Sequence, residues 1–290
     1  MTSASARPST GPRPVGTWPG GRRLAVYVAV GVEAYRPDGG RTEDLLPGVA
    51  APDRVNTAWR DYGNRVGIFQ LLDRFAALGL PATVLLNTMV YDTAPEVVDA
   101  ARAGGAEIVG HGISNSDSLT GLGPAGEREY MSSVATSIEA HEGKRPGGWS
   151  SPWLAHTPTT IDSLAATGYR YLLDLRPDDQ PLWLLSPSGP LLSIPYALEL
   201  NDSTTVIGRQ AGAGEFADMI VDELDELAER SDEHPIVMSI VVHSFISGVP
   251  FRLRALTRAL RHVARDPQST WLTQPRHIHE AFAAISPPPV

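Results

Sequence analysis

The chain contains no cysteine in its 290 residues. That absence excludes disulfide bonds, a thiolate nucleophile and zinc bound through cysteine. The chain also lacks any run of about 18 apolar residues, the length that a membrane-spanning helix needs. The net charge of −9 argues against a surface for nucleic acid or anionic membrane, because both bind clustered lysine and arginine. We therefore expect neither nucleic acid nor a membrane as partner; the expectation of a small-molecule substrate rests on the motifs described below.

The N-terminal residues 1–17 are rich in proline, serine and glycine and contain no apolar segment of the kind found in a secretory signal. We expect a disordered tail there and a cytoplasmic protein. The rest of the chain shows no break in composition, so residues 18–285 are predicted to form a single domain. Its length permits a large core.

Short apolar runs alternate with helical patterns along residues 18–285. Continuous runs of valine, isoleucine and leucine are typical of parallel strands that are covered by helices on both faces. About seven or eight such strand–helix units favour an α/β fold closed into a distorted (β/α) barrel of TIM-like type. A long loop is predicted over residues 34–60, before a helix at 64–78.

Several of these strands end at a residue that can do chemistry. "LAVYVAVGVE" ends at Glu33, "EIVGH" at His111 and "IVMSIVVH" at His243. In parallel sheets and barrels the active site forms at the carboxyl ends of the strands. A buried carboxylate is costly unless it is paired or used, and a histidine suits proton transfer near neutral pH. We therefore predict catalytic roles for these three residues, although structural hydrogen-bonded histidines would give the same pattern.

Asp174 ends the run "YRYLLD" and is a fourth catalytic candidate, which could orient an imidazole or hold a water. Asp178 and Asp179 follow it, but "PDD" is also common in solvated turns. Aromatic residues at a strand rim can stack on a ring or belong to the core. The complete set of predicted substrate-binding residues is Asn115, Arg65, Trp149, Ser151, Trp153, Asp178, Asp179, Tyr196 and Glu199.

The order of the motifs resembles the polysaccharide deacetylase (NodB-homology) family, and within it the branch of metal-independent allantoinases and similar cyclic-amide hydrolases. The matching segments are "GVE", "WRDYGNRVGIFQLLD", "EIVGHGISNS", "GWSSP", "YRYLLDLRPDDQP", "LLSIPYALELND" and "VVHSF" followed by "PFRLRAL". The resemblance implies a distorted (β/α) barrel of NodB-homology type and, from the branch, a homo-oligomer.

The metal-dependent members of that family remove N-acetyl groups from sugars. By the resemblance their metal-binding aspartate falls on Glu33, the first metal-binding histidine on His111, the proton-donating histidine on His243, and its acidic partner on Asp174. Three positions depart from the family pattern: the base position holds Gly31, the second metal histidine is Asn115 and an orienting arginine is Ser150. Catalytic zinc normally has three protein ligands. The resemblance therefore implies no cofactor, or a weakly held divalent metal such as zinc on Glu33 and His111.

The sequence supports three hypotheses about function. The first is hydrolysis of a non-peptide C–N bond in a small amide, cyclic imide or ureide. In it Glu33, with Asp174 or Asp178, is the base, His243 protonates the leaving nitrogen, and His111 and Asn115 polarise the carbonyl. The second is metal-dependent deacetylation of N-acetyl sugars. The third is a non-hydrolytic enzyme or a binding protein on the same fold.

Overall fold

A computed structural model describes residues 7–9, 11–230 and 233–289. Within these ranges ten strands form one sheet. The strands are β1 Arg7–Pro8, β2 Leu24–Val32, β3 Ala82–Leu86, β4 Glu107–Gly110, β5 Gly148–Trp149, β6 Tyr171–Leu172, β7 Leu182–Ser186, β8 Gly189–Ser193, β9 Ile236–His243 and β10 Thr270–Leu272. The α-helices are α1 Arg54–Tyr62, α2 Ile68–Ala77, α3 Val90–Thr93, α4 Pro95–Ala103, α5 Gly123–Glu142, α6 Thr160–Ala166, α7 Ala213–Arg230, α8 Pro250–Val263 and α9 Pro275–Ile285.

The longest strand, β2, lies in the middle of the sheet and pairs in parallel with β3, β9 and β10. From β3 the sheet continues through β4, β5, β6 and β8, all in parallel. The antiparallel hairpin β7–β8 and the short β1 complete it. Helices connect the successive parallel strands except β6 and β8, between which lies β7, and this alternation confirms the predicted α/β class.

The sheet curls until its two sides approach each other along β9. The free edge of β9 bonds to irregular chain rather than to a strand: Val237 N–H donates to Asp179 O at 2.8 Å and Val241 N–H to Leu200 O at 2.9 Å. Loop segments therefore cover the free edge of β9, and the sheet is a curled half-barrel of the NodB-homology type.

Residues of β2 alternate between two cores, as the two-residue period of a strand requires. Even-numbered residues from Leu24 to Val32 pack with the helices that cover the outside of the sheet. Ala25, Tyr27 and Ala29 pack inside the curl. Glu33 continues the inner set by parity, so the alternation directs its side chain into the mouth of the curled sheet. The same parity places His243 with the inner residues Val237 and Val241 of β9.

The loop after β2 is shorter than predicted. The sequence predicts irregular chain to residue 60, but α1 begins at Arg54, where the Asp53 side chain accepts a hydrogen bond from Asn56 N–H at 2.9 Å and caps the helix. A π-helical turn over residues 63–67 then joins α1 to α2. The helix predicted at 64–78 is therefore the second half of a longer helical segment.

The N-terminal segment also differs from the prediction over the residues that the structure describes. Arg7 and Pro8 pair with β7, and Pro14 O accepts hydrogen bonds from the side chains of Gln180 and His234. Residues 1–6 and 10 of the predicted tail lie outside the described residues. Among the described residues, every helix is too short or too polar to cross a membrane.

Candidate active site

Glu33 occupies the mouth of the curled sheet, between two imidazoles. Its Oε1 lies 3.4 Å from Nε2 of His243 and 3.6 Å from Nε2 of His111. These separations exceed ordinary hydrogen-bond lengths and describe close ion-pair contacts. All three side chains are at most one-tenth exposed. The structure thus brings together the three strand-end residues that the sequence singles out.

Asp202 binds the Nδ1 side of the His243 ring, whereas Nε2 faces Glu33. Nδ1 of His243 donates to Asp202 Oδ1 at 2.6 Å, and the backbone N–H of His243 donates to Oδ2 at 3.0 Å. Ser247 also donates to Oδ2, at 2.5 Å. With a carboxylate fixed on Nδ1, the ring directs Nε2 at Glu33, the arrangement that orients an imidazole for proton transfer.

His111 is fixed by a different partner. Its Nδ1 lies 2.8 Å from the carbonyl oxygen of Ser150. Because a carbonyl only accepts, Nδ1 must carry the proton. In the neutral ring Nε2 is therefore a hydrogen-bond acceptor facing Glu33, and it becomes a donor only when the ring is protonated.

Tyr35 completes the surroundings of Glu33. Its hydroxyl donates a short hydrogen bond to Glu33 Oε2 and accepts one from Asn115 Nδ2 at 3.0 Å. Asn64 Nδ2 donates to the backbone oxygen of Glu33 at 2.8 Å. The amide N–H₂ group of Asn115, which the sequence analysis assigns to a substrate carbonyl, is thus bound to Tyr35.

The electrostatics favour an ion pair. Burial raises the pKa of Glu33, but His111 and His243 together outweigh burial and hold that pKa below its ordinary value. Burial lowers the pKa of His243, yet Asp202 and Glu33 raise it well above the usual range. Near neutral pH the site therefore contains the Glu33 carboxylate beside the His243 imidazolium.

The residues present do not fit the metal site of the family's metal-dependent members. Among the described residues, no group of three or more histidine, aspartate or glutamate side chains is arranged to hold a metal ion. The third ligand position holds Asn115, whose amide nitrogen is bonded to Tyr35, and an amide oxygen is a poor ligand for zinc. Within the described part of the chain, Glu33 and His111 therefore lack the third protein ligand that a catalytic zinc site normally has.

Arg60 fixes the loop that follows β2 against the site. Its Nη1 donates to Glu43 O and to Asp44 Oδ1, both at 2.7 Å, and its guanidinium lies 4.9 Å from the ring centre of Tyr35. The Glu43 carboxylate accepts a hydrogen bond from Ser203, the neighbour of Asp202, at 2.9 Å. Buried Arg60 thus connects the loop directly to Tyr35, and Glu43 connects the same loop to the segment that contains Asp202.

Asp174 is not the acidic partner of His243. Its Oδ1 accepts from Ser151 N–H and its Oδ2 pairs with His156 Nε2, both at 2.8 Å. A separate cavity beside α7 is lined by Asp174, Tyr196 and Glu199, among other residues. These three predicted residues are therefore near one another, but they line a cavity that contains none of Glu33, His111 and His243.

Asp178 and Asp179 lie at the wrong end of the sheet for the predicted site. Asp179 O bonds to Val237 at the start of β9, whereas His243 ends that strand, a separation of roughly 20 Å along the strand. Their carboxylates pair with Arg13 and with Arg176 and Arg230. After β6 the chain runs back beside β9 toward the start of that strand. The turn with Asp178 and Asp179 therefore lies at the end of the sheet away from Glu33 and His243.

The other predicted binding residues have varied positions. Trp149 is fully buried against Tyr169 in the outer core, so it does not stack on a substrate. Its indole N–H donates to the Ser151 hydroxyl, which ties Ser151 to the core as well. Arg65 is exposed on the π-helical turn. Trp153 does reach the site, because its Nε1 donates to the backbone oxygen of Asn115 at 2.7 Å.

The sequence indicates Asp202 only as one of several polar candidates after a strand, without a specific role, and Tyr35 is not among the predicted site residues. Asp202 ends the segment "PYALELND", where residue type alone does not distinguish it from Glu199. Tyr35 lies two residues after Glu33, and that spacing in an extended chain could have indicated a neighbour on the same side.

Comparisons with known proteins agree with this fold. A family model described as polysaccharide deacetylase matches residues 54–172. A putative polysaccharide deacetylase of Schizosaccharomyces pombe is 25% identical, over 92% of this chain and 88% of that protein.

Two solved structures are similar over nearly the whole chain. A probable polysaccharide deacetylase from Pseudomonas aeruginosa has 28% identity and a TM-score of 0.79, over 93% of this chain and 94% of its own. The structure of Puue allantoinase has 28% identity and a TM-score of 0.82, over 96% of both chains. The sequence resemblance is thereby confirmed: the chain contains a polysaccharide deacetylase (NodB-homology) domain and shares the curled α/β fold of these similar structures.

Proposed function

We propose that the protein hydrolyses a non-peptide C–N bond in a small cyclic amide, imide or ureide, without a metal. The observation that carries this proposal is the position of Glu33 between two imidazoles, one of which is backed by a buried aspartate. The similar allantoinase acts, by its name, on allantoin, a cyclic ureide. A compound of that class is the substrate that we propose here.

In the proposed reaction a water molecule attacks the carbonyl carbon. The Glu33 carboxylate orients this water and takes its proton as the C–O bond forms. Because a carboxylate with a lowered pKa is a weak base, its main contribution is to place the water and to stabilise positive charge nearby.

Breaking the C–N bond requires a proton on the leaving nitrogen. His243 supplies it from Nε2, and Asp202 stabilises the imidazolium before the transfer. General acid catalysis of this kind contributes about 10²–10⁴-fold to a rate. His111, held by Ser150 through Nδ1, brings its Nε2 to 3.6 Å from the Glu33 carboxylate and lines the site beside it.

The test is turnover of cyclic amides and ureides, allantoin included, by protein from which metals have been removed and quantified. Glu33→Gln and His243→Gln should each lower kcat by about a hundredfold or more. Glu139→Gln and His262→Gln make the same chemical changes on the surfaces of α5 and α8 and serve as controls. Wild-type rates in both site variants would refute the proposal.

Metal-dependent deacetylation of N-acetyl sugars is the second candidate, and the names of the polysaccharide deacetylases similar to this chain favour it. N-acetylglucosamine oligomers, with and without added zinc, belong in the same assay. Zinc-dependent release of acetate, together with no turnover of cyclic amides, would replace the first proposal by this one.

A further inference from the structure

The asparagine side chains of this protein, all of them buried or half-buried, divide into two groups. Asn56, Asn87 and Asn201 use both halves of their side-chain amide, each with a donor bonded to the oxygen and an acceptor bonded to the nitrogen. Asn115 and Asn64 use only the nitrogen, and their Oδ1 atoms are buried without a partner among the described residues. Both of these incomplete amides lie beside Glu33.

The polarity of the Asn115 amide is fixed by its neighbours. The Glu33 carboxylate can only accept, so the single proton of the Tyr35 hydroxyl points to Glu33. The Tyr35 oxygen must then accept, and only the N–H₂ side of Asn115 can donate to it. The hydrogen-bond partners therefore fix the orientation of the Asn115 amide and leave its oxygen without a partner among the residues described.

The Asn115 oxygen is also held rigidly. The backbone N–H of Asn115 donates to Ala34 O at 2.9 Å, and its backbone oxygen accepts from Trp153 Nε1 at 2.7 Å. The residue is only 3% exposed. A buried acceptor without a partner destabilises the folded protein, and buried polar groups in folded proteins nearly always have a partner. A ligand that donates a hydrogen bond would supply one.

We propose that Asn115 Oδ1 accepts a hydrogen bond from a ring N–H of the substrate, and that the substrate is therefore a cyclic amide or ureide with an unsubstituted N–H. This inference rests on the proposed function and specifies its substrate class. Asn64, which donates to the Glu33 backbone oxygen, offers a second open acceptor of the same kind.

An amide N–H fits these acceptors better than a sugar hydroxyl does. A hydroxyl both donates and accepts, so a buried hydroxyl also needs a donor for its oxygen. An amide nitrogen only donates, because its lone pair is conjugated with the carbonyl. Two open acceptors beside Glu33 therefore match a ring that carries one or two N–H groups.

The experiment compares hydantoin with 1-methylhydantoin and 3-methylhydantoin. Each methyl group removes one N–H and leaves the ring intact. The proteins are wild type, Asn115→Leu, which is similar in size and cannot accept, and Asn115→Asp, which retains an acceptor. Gln268→Leu removes an exposed amide and is the control. Thermal unfolding establishes that each variant is folded.

For wild type and Gln268→Leu, kcat/KM for hydantoin should exceed that for at least one of the two methylhydantoins by about tenfold or more. In Asn115→Leu the preference should fall to about threefold or less, and Asn115→Asp should retain it at a lower rate. An undiminished preference in Asn115→Leu would overturn the role of Asn115 while leaving hydrolysis established.

Should the wild type turn over no cyclic amide, the proposed function fails, and the same comparison is made by calorimetric binding of the three hydantoins. An N–H preference that Asn115→Leu abolishes would still support the acceptor role. Equal binding of the three compounds to wild type would refute it.

Discussion

The imidazole of His243 lies directly against the backbone of Gly31. A Cβ at position 31 would be 2.6 Å from His243 Cδ2 and 3.1 Å from Nε2. The two residues are also register partners on the neighbouring parallel strands β2 and β9. A side chain at this position, where the family resemblance places a base, would therefore occupy the space of the proton donor.

Gly31→Ala should displace the His243 ring while leaving the fold intact. Contacts of 2.6 Å force a shift, and a misplacement of about 1 Å can lower a rate a hundredfold. We expect a loss of kcat of that order, measured by steady-state kinetics on the substrate found by screening. Gly104→Ala is the matched control, since its Cβ would meet nothing closer than 3.6 Å at the end of α4. Equal activity of the two variants would contradict the packing argument.

Asp202→Asn should weaken His243 as an acid. Burial lowers the pKa of His243 and Asp202 opposes that effect, so removal of the charge lets the ring lose its proton at lower pH. The alkaline limb of the kcat/KM profile should move to lower pH, and kcat near pH 8 should fall about a hundredfold. Asp225→Asn removes the carboxylate from the surface pair with His262 and should leave the profile unchanged. An unshifted alkaline limb in Asp202→Asn would show that another group controls it.

Asn115→His should create a zinc site. It would place a third donor beside Glu33 and His111, the ligand number of catalytic zinc sites. We expect about one zinc per chain after dialysis against zinc and removal of excess, measured by elemental analysis, and less in wild type and in Asn115→Gln. Zinc contents that do not differ between Asn115→His and Asn115→Gln would show that the position is not a ligand site.

The His156–Asp174 pair should make stability depend on pH. Burial lowers the pKa of His156, but Asp174 outweighs it and raises that pKa above the ordinary 6.5. A histidine whose pKa is higher in the folded than in the unfolded state stabilises the fold fully at pH values below its unfolded-state pKa. This stabilisation is lost as the pH rises through its folded-state pKa. Urea unfolding of wild type and His156→Gln should therefore differ most below about pH 6.5 and less at pH 9. A difference that grows with pH would have the wrong sign.

Three of the predicted site residues meet because they follow regular parallel strands. Glu33, His111 and His243 each follow an inner-facing residue by two positions, and the parallel register brings them to one end of the sheet. Their meeting could be predicted because parity and strand direction are both encoded in the local sequence.

The positions of other site residues could not be predicted where the chain leaves the regular sheet. Strand β6 has only two residues, and the chain beyond it turns back along β9, which carries Asp178 and Asp179 to the opposite end. Asp202 belongs to the irregular segment that closes the curl, and no periodicity marks a residue in such a segment. The tertiary packing of this segment against β9, rather than a local sequence pattern, determines which carboxylate binds Nδ1 of His243.

The pairing of β2 with β9 has a consequence for folding. Glu33 and His243 belong to adjacent strands that are separated by most of the chain, so the two groups meet only after a contact of very high sequence separation has formed. Such contacts are entropically costly and form slowly. During refolding, secondary structure should therefore appear well before activity, and the return of turnover reports the moment at which the first and last long strands join.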